Sequence, residues 1–303
     1  MVKKPVELSS SKRPAAAGAR RIGNASPEDE VEVTVTLRGP RLPAARDVTG
    51  RVMDRETFSA RYSADPDDAA KVKAELTRLG LHVLDVSPVT RSMRVSGTVQ
   101  QVDGAFGVNL GTYESDDQGQ FRGREGRIYV PAPLAGIVTG VFGLDDRRMA
   151  QRANAPAQQA AAALTPAGLE ALYQFPPGDA AGQAIAIVEF DGAYSTSDLQ
   201  AFCQKYGREA PVPTLVTLGP QAAQQQSTSI SREATMDVEI IAALCPAASI
   251  SVYCARFNQK GWIDLLDAVV KTEPLPAVLS NSFNKAEDSP DWSKSAVTEI
   301  VTG

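Results

Sequence analysis

The chain has little histidine or cysteine and no long apolar run. Its single histidine is His82, and its three cysteines, Cys203, Cys245 and Cys254, show no C-x-x-C spacing. These counts exclude a His-rich metal site and a disulfide-rich scaffold. We expect buried free thiols, with a Cys245–Cys254 bridge as the alternative. No stretch reaches the roughly 18 consecutive apolar residues of a transmembrane helix.

His82 lies in the apolar-rich segment LHVLDVS, a pattern that indicates a strand and a structural role for the imidazole. No second histidine or Cys/His cluster accompanies it. If the protein is a hydrolase, its general base is therefore expected to be a carboxylate.

Composition indicates an ordinary globular protein. The chain has 303 residues, 43% of them apolar and 22% charged, which predicts about two domains with a sizeable core. Residues 1–150 carry 22 Lys and Arg against 20 Asp and Glu, while residues 151–303 carry 9 against 16. The basic residues are scattered and not interleaved with aromatics, so we expect no nucleic-acid partner. The polar, basic N-terminus has no apolar h-region, so it is not a recognisable Sec signal peptide.

Four segments are predicted along the chain. Residues 1–30 are rich in Pro, Ala, Ser and Arg and are expected to be disordered. Residues 31–146 mix strand and helix patterns and predict an α+β domain. Residues 147–163 are biased towards Ala, Gln and Pro, which indicates an exposed linker. Residues 164–303 form the remainder.

The clearest helix of the first domain follows Asp65. Asp65 is a plausible N-cap, Pro66 suits the first helical position, and Gly80 ends the apolar periodicity. The alternating segment VEVTVTLRG predicts a strand before this helix. The segment APLAGIVTGVFGLD, residues 132 to 145, predicts a final helix.

After the linker the pattern changes to strands that alternate with helices. QAIAIVEF is a continuous apolar run, typical of a strand covered on both faces. Strands at PTLVTLG, ASISVYCA and PAVLSNSF are separated by helical patterns, which predicts a parallel α/β sheet. A last helix begins in WSKSAVTEIVTG, and a doubly wound sheet would be expected to continue beyond it.

The segment SREATMDVEII carries two carboxylates on one helical face. Glu233 and Asp237 are four residues apart, so they lie one turn above the other. A solvated acidic face is one interpretation. The other is a coupled pair in a partly desolvated site, where one carboxylate can act as a base at acidic pH. The apolar residues expected to bury this helix are Met236, Ile240, Ile241 and Leu244.

Polar side chains also follow two predicted strands. One predicted strand, AIVEF, has two carboxylates at its C-terminal end, Glu189 and Asp191. Another, which contains VLS, has three polar residues at its end, Ser280, Asn281 and Ser282. Ligands of open α/β sheets bind at these strand ends, although a plain surface loop is the alternative. The second strand end can also pair with an extended peptide.

These segments together resemble the sedolisins, serine-carboxyl peptidases of the kumamolisin type. RVSGTVQQVDGAFGVNLGTY and VPAPLAGIVTGVFGLD resemble the activation domain of that family, and LTPAGLEALYQFP resembles the start of its mature enzyme. EATMDVEIIAALCPAASISVYCA resembles the helix and strand that carry the E-x-x-x-D motif. The resemblance covers nearly all of residues 30–300. It implies a ferredoxin-like pro-domain followed by the N-terminal part of a subtilisin-like catalytic domain.

The resemblance also implies residue roles. Glu233 matches the general base of the catalytic serine, and Asp237 matches the aspartate that orients it. Glu189 matches a further acid of the hydrogen-bond network. Ser280, Ser282 and Phe283 match a segment beside the substrate channel.

The chain departs from the family pattern at several points. Phe283-Asn284 stands where the family usually has Trp-Gly, so an indole N–H donor is lost. The nucleophile motif S-G-T-S-A-x-x-P and the oxyanion motif G-D-S-G do not occur in these residues. The family's calcium site is likewise expected beyond Gly303, and we expect no cofactor within the chain.

The sequence therefore predicts the precursor of a secreted endopeptidase that acts at acidic pH. Its partners would be peptide substrates and its own pro-domain as an intramolecular inhibitor, with no nucleic acid or membrane. The chain as given is expected to be truncated and inactive alone. The alternative is a non-catalytic pro-domain-type inhibitor or chaperone that binds a partner protease.

Overall fold

The computed structural model describes residues 4–43, 53–149, 164–219, 231–283, 292–294 and 296–297. These residues form two compact units. The first is built mainly from the stretch that ends at Met149, and the second mainly from the stretch that follows it. No described helix is long and apolar enough to span a bilayer.

The first unit combines antiparallel strands with helices. Its described elements are β1 (Val6–Glu7), β2 (Ala19–Asn24), β3 (Glu30–Leu37), α1 (Arg55–Tyr62), α2 (Pro66–Arg78), β4 (His82–Ser87), β5 (Ser92–Thr98), α3 (Val99–Phe106), β6 (Gly111–Ser115), β7 (Gly119–Gly123), β8 (Tyr129–Val130) and β9 (Val138–Phe142). A single 3₁₀ turn at Ala132–Leu134 precedes β9.

The main sheet of this unit has the strand order β4-β5-β3-β9. Each neighbouring pair is antiparallel, with Val33 opposite Val95 and Val35 opposite Val141. Helix α2 connects β3 to β4, and α3 follows β5, so the sheet strands and these helices run in the order β-α-β-β-α-β. Strands β6, β7 and β8 lie in the connection between α3 and β9.

Helix α2 confirms the predicted capping. The carboxylate of Asp65 accepts a hydrogen bond from the Asp67 N–H at 2.8 Å, and Pro66 is the first helical residue. The buried face contains Val72 and Leu76, both fully inaccessible to solvent. Full burial of two such side chains stabilises the fold by roughly 1.5–3 kcal/mol each.

The predicted disorder of residues 1–30 is wrong for the part that the structure describes. Strand β2 pairs with β6, which pairs with β7, and β1 pairs with β8. Leu8 and Arg13 between these strands are buried. The composition is misleading because this segment gains order by pairing with distant strands rather than from its own periodicity.

The predicted helix over residues 132–145 is also wrong, because the segment begins with the 3₁₀ turn and continues into strand β9. Val138 and Val141 are β-branched and pair with β3. Gly143 adopts a φ of +101°, and a Cβ there would lie 2.5 Å from the carbonyl oxygen of Glu32. The positive φ and this close approach require glycine, and β9 ends at the preceding residue.

A buried charged cluster joins the beginning and the end of the first unit. Oδ2 of Asp145 accepts hydrogen bonds from Arg13 Nε at 3.1 Å and Arg147 Nη2 at 3.2 Å. The backbone N–H of Arg147 donates to Oδ1 at 2.9 Å. Arg124 donates from its backbone to Oδ2 at 3.3 Å and from its guanidinium to the Ser11 carbonyl at 3.0 Å.

This Asp145 cluster contains three buried arginines and one buried aspartate, so cationic charge is in excess. Burial, followed by repulsion from Arg13 and Arg147, lowers the pKa of Arg124 to about 10, with Asp145 acting in the opposite direction. Burial alone would raise the pKa of Asp145. The charges of Arg13 and Arg147 and the two backbone hydrogen bonds outweigh burial and lower that pKa.

The second unit alternates helices and strands, as the sequence predicts. Its described elements are α4 (Pro166–Leu172), β10 (Ala184–Phe190), α5 (Thr196–Lys205), β11 (Thr214–Thr217), α6 (Arg232–Leu244), β12 (Ser249–Ala255), the part of α7 (Gln259–Lys271) from Asp264 onwards, and β13 (Val278–Asn281). The predicted last helix lies largely outside the described residues.

These strands form a parallel sheet with the order β11-β12-β10-β13. Strand β10 is central, and its residues 185–190 are all buried, which confirms the prediction from its continuous apolar run. Glu189 lies opposite Cys254 of β12, and Val188 lies opposite Asn281 of β13.

Helices α5 and α6 cover the same face of the sheet. Leu199 of α5 and Val238 of α6 belong to one core cluster with Ile187 and Val252. Helix α5 connects β10 to β11, past β12 towards one edge of the sheet, whereas α6 connects β11 back to β12. The two crossovers therefore have opposite hands, and one of them is of the left-handed kind that is rare in parallel sheets.

The predicted buried stripe of α6 is partly wrong. Met236 is 46% exposed and Ile240 is 37% exposed, while Ala234, Val238 and Ala242 are inaccessible. These three are spaced four residues apart and form one row of the helix. This row faces the sheet, and of the predicted stripe Ile241 is half-buried and packs against the same core cluster.

Candidate active site

Glu189 ends the central strand with its carboxylate buried. Side chains alternate along a strand, so Glu189 shares a face with Ile185 and Ile187. Those two residues pack in the core cluster beneath α5 and α6. Because of this shared face, Glu189 lies on the α6 side of the sheet, near its carboxyl edge. Its side chain is 0% exposed.

The start of α6 is fixed to the loop that follows β10. Ser231 caps the helix, its Oγ accepting from the Ala234 N–H at 3.3 Å, and its own N–H donates to the Ala193 carbonyl at 2.9 Å. Thr235 Oγ1 accepts from the Ser195 N–H at 3.1 Å. These bonds place the first turns of α6 beside the carboxyl edge of the sheet.

Glu233 and Asp237 lie one turn apart on α6, and both are half-buried. Their row is next to the buried row that contains Ala234 and Val238. Within the described residues, no hydrogen bond joins the two carboxylates, and the Glu233 side chain makes no hydrogen bond or ion pair. The catalytic role of the pair stays a prediction.

Ser282 connects this helix to the end of β13. Its hydroxyl donates a short hydrogen bond to Oδ2 of Asp237. The two residues are 45 positions apart, so no spacing rule within the sequence reveals the contact. The half-buried Ser282 therefore faces a predicted catalytic residue.

Phe283 is 4% exposed and belongs to an aromatic cluster. Its ring meets those of Phe190 and Phe257 edge to face, each with 5.1 Å between centroids. Phe190 points to the face opposite Glu189, because the two are adjacent in β10.

Ser280 is half-buried in β13, opposite Ile187 of β10. The substrate contacts predicted for Ser280, Ser282 and Phe283 stay predictions.

Asp191 makes hydrogen bonds that connect the end of β10 to the end of β12. Its backbone adopts a φ of +52°, and its N–H donates to the Ala255 carbonyl at 3.0 Å. Its Oδ1 accepts from the Phe257 N–H at 3.1 Å. Asp191 thereby ties the ends of β10 and β12 together.

The remaining acid of α6, Glu239, differs from the pair in its surroundings. Burial, and then the charge of Asp198, raises its pKa. Glu239 in turn adds to burial in raising the pKa of the Cys203 thiol. Glu239 is therefore a useful comparison residue on the same helix.

The three cysteines are free thiols, and two of them are buried. Burial also raises the pKa of Cys245, so the thiols of Cys203 and Cys245 stay protonated at neutral pH. His82 begins β4 and is exposed. Cys254 lies opposite Glu189 at this edge of the sheet and is buried, and the two thiols with raised pKa values lack the low pKa of an activated nucleophile.

Among the described residues, no group of three His, Cys, Asp or Glu side chains could hold a metal ion. The resemblance places its calcium site beyond Gly303, so these residues leave that expectation a prediction. No chemical step assigned to this chain passes through a metal.

Comparisons with known proteins indicate the family of the chain. Residues 17–147 match the family described as the pro-kumamolisin activation domain. The chain is 33% identical over 292 residues to kumamolisin from Bacillus sp. (strain MN-32), covering 90% of the chain and 51% of that protein. It is 26% identical over 325 residues to tripeptidyl-peptidase sed5 from Aspergillus fumigatus, covering 93% of the chain and 56% of that protein. The chain thus spans about half the length of the curated relatives it matches.

Proposed function

Because this chain belongs to the sedolisin family and is pro-kumamolisin-like, we propose that it is part of a serine-carboxyl endopeptidase precursor. The observation that carries the proposal is the gathering of acids at one edge of the parallel sheet. Glu189 ends β10 on the α6 side, and the start of α6 is bonded to the loop after β10. Asp237 is bonded to Ser282 just after β13.

In the proposed reaction a serine Oγ attacks the peptide carbonyl carbon, and Glu233 accepts the serine proton. The proton then passes to the leaving amine as the C–N bond breaks. Asp237 orients Glu233, and a further aspartate stabilises the oxyanion. The motifs expected for the serine and the oxyanion acid do not occur in these 303 residues. The arrangement of the acids at the sheet edge therefore supports the general-base part of the proposed mechanism.

We assign the two units to the pro-domain and the catalytic domain. The β-α-β-β-α-β order of the first unit supports a ferredoxin-like pro-domain over residues 31–146. The parallel sheet supports a subtilisin-like start of the catalytic domain within residues 164–303. The proposed protein acts at acidic pH on peptide substrates, is secreted, and carries its own pro-domain as an intramolecular inhibitor. Calcium would be held by residues outside this chain.

The proposed linker over residues 147–163 lies mostly outside the described residues, and the expected exposure is wrong at its described start, where Arg147 and Met149 are buried. Limited proteolysis of the chain should cut first between about Arg148 and Ala163, because few contacts cross a linker. Mass spectrometry of the first fragments locates the cuts. Protection of that stretch, together with early cleavage inside residues 31–146, would contradict the boundary.

The 303-residue chain by itself should show no peptidase activity on unfolded protein between about pH 3 and pH 7. A general base without its nucleophile cannot form an acyl-enzyme. Release of fluorescence from a quenched protein substrate provides the assay. If turnover appears and is lost with Glu233→Ala, a nucleophile lies within these residues and the assignment changes.

The full translation product of the gene is the test of the function itself. We expect acid-dependent peptidase activity from this product, measured with the same substrate. An inert product that instead inhibits a separate sedolisin would support the alternative, a pro-domain-type inhibitor or chaperone.

A further inference from the structure

We propose that Ser282 is a positioning residue that fixes the carboxylate of Asp237 for its work beside Glu233. The inference rests on the proposed function, because it assigns a role within the proposed catalytic machinery. It gives the strand end after β13 a second role besides the predicted substrate contact.

The backbone on both sides of Ser282 is held in place. Asn281 Nδ2 donates to the Phe283 carbonyl at 2.9 Å, and the Phe283 N–H donates to Asn281 Oδ1 at 3.1 Å. Asn281 also belongs to β13 and lies opposite Val188 of the central strand. This reciprocal pair of bonds closes a tight ring around Ser282.

The aromatic cluster fixes the other end of the turn. Phe283 is almost fully buried between Phe190 and Phe257, whose rings also stack on each other at 4.9 Å. Ser282 therefore lies between an anchored strand residue and an anchored aromatic residue. A side chain on so rigid a support holds a precise position, as catalytic geometries require.

The partner of this hydroxyl is equally well supported. Asp237 lies on α6, whose first turns are tied to the loop after β10 through Ser231 and Thr235. Ser282 donates to Oδ2 of Asp237, and within the described residues this is the hydrogen bond of the Asp237 side chain. One carboxylate oxygen is therefore fixed, and Oδ1 is left for a neighbouring group.

The two acids of the pair consequently differ in their freedom. Asp237 is held by a neighbouring strand end, whereas Glu233 has no such bond within the described part of the chain. A fixed carboxylate can orient a movable neighbouring carboxylate, so that the second one comes within hydrogen-bond reach of the proton that it accepts. Phe283 has no polar atom on its ring, so from this turn the hydroxyl of Ser282 is the side-chain donor that reaches the pair.

Carboxyl footprinting tests the bond in the 303-residue chain without requiring activity. A water-soluble carbodiimide and an amine label are applied at one fixed pH, and mass spectrometry reads the labelling of Asp237 and Glu233 separately. Ser282→Ala should increase the labelling rate of Asp237 several-fold. Ser282→Thr, which keeps the hydroxyl, should restore the original rate, and Ser251→Ala on β12 is the matched control.

The outcomes separate a positioning role from general loosening. Unchanged Asp237 labelling in Ser282→Ala, or an equal increase in Ser251→Ala, would overturn the proposal. In an active full translation product, Ser282→Ala should lower kcat about tenfold or more with little change in KM, since small misplacements of catalytic groups are costly. If the full product is inert, the proposed function fails, and the footprinting result still decides whether Ser282 holds Asp237.

Discussion

Replacing Glu233 with Gln should reduce the peptidase activity of the full translation product by roughly 10²–10⁴-fold, the range for losing a general base. The amide has nearly the shape of the carboxylate but cannot accept the serine proton. Glu233 is half-buried and, within the described residues, makes no ion pair that the change would break, so stability should be little affected. Steady-state kinetics at acidic pH, with circular dichroism to confirm folding, provides the measurement.

Glu239→Gln is the matched control, because it makes the same chemical change six residues along the same helix. It should leave kcat/KM within about twofold of the unmodified enzyme, since Glu239 takes no part in the proposed reaction. Asp237→Asn should be milder than Glu233→Gln, because the amide can still donate a hydrogen bond to a neighbouring carboxylate. Near-normal rates for Glu233→Gln would remove the basis for the assigned roles.

Replacing Asp145 with Asn should destabilise the first unit by about 3–5 kcal/mol, the usual cost of removing one partner from a buried ion pair. Arg13, Arg124 and Arg147 are all at least 95% buried and would lose the charge that balances them. Urea denaturation followed by fluorescence of the first unit measures the change. Asp117→Asn, on an exposed turn, should alter stability by less than about 0.5 kcal/mol.

The same cluster predicts a pH dependence with a definite sign. The pKa of Asp145 is lower in the folded chain than its ordinary value, so the ionised carboxylate contributes stability above the ordinary value. That contribution is lost as pH falls through the lowered folded pKa. The difference in the free energy of unfolding between the unmodified chain and Asp145→Asn should therefore become smaller in strong acid. A difference that becomes larger there would contradict the role of the cluster.

The sequence revealed local features better than distant contacts. The cap at Asp65 and the parallel strand β10 follow from local rules of capping and apolar patterning. The strands within residues 1–30 and the strand β9 depend on pairing with partners far along the chain. No window of sequence contains those partners.

The candidate site shows the same limit. The spacing of Glu233 and Asp237 indicates that they share a helical face, but it does not reveal that Ser282 donates to Asp237. Hydropathy also overestimates the burial of Met236, because a large apolar side chain outweighs the small residues that pack against the sheet. Tertiary packing, rather than local preference, determines which row of α6 faces inward.

The most direct test of the account is whether Glu233 is needed to form the acyl-enzyme. The full translation product is mixed with an excess of an activated ester substrate at acidic pH, and intact-mass spectrometry follows the covalent adduct in the first turnover. We expect rapid adduct formation in the unmodified enzyme and in Glu239→Gln, with acylation slowed at least 100-fold in Glu233→Gln. Acylation of Glu233→Gln at the unmodified rate would contradict the assignment of Glu233 as the general base.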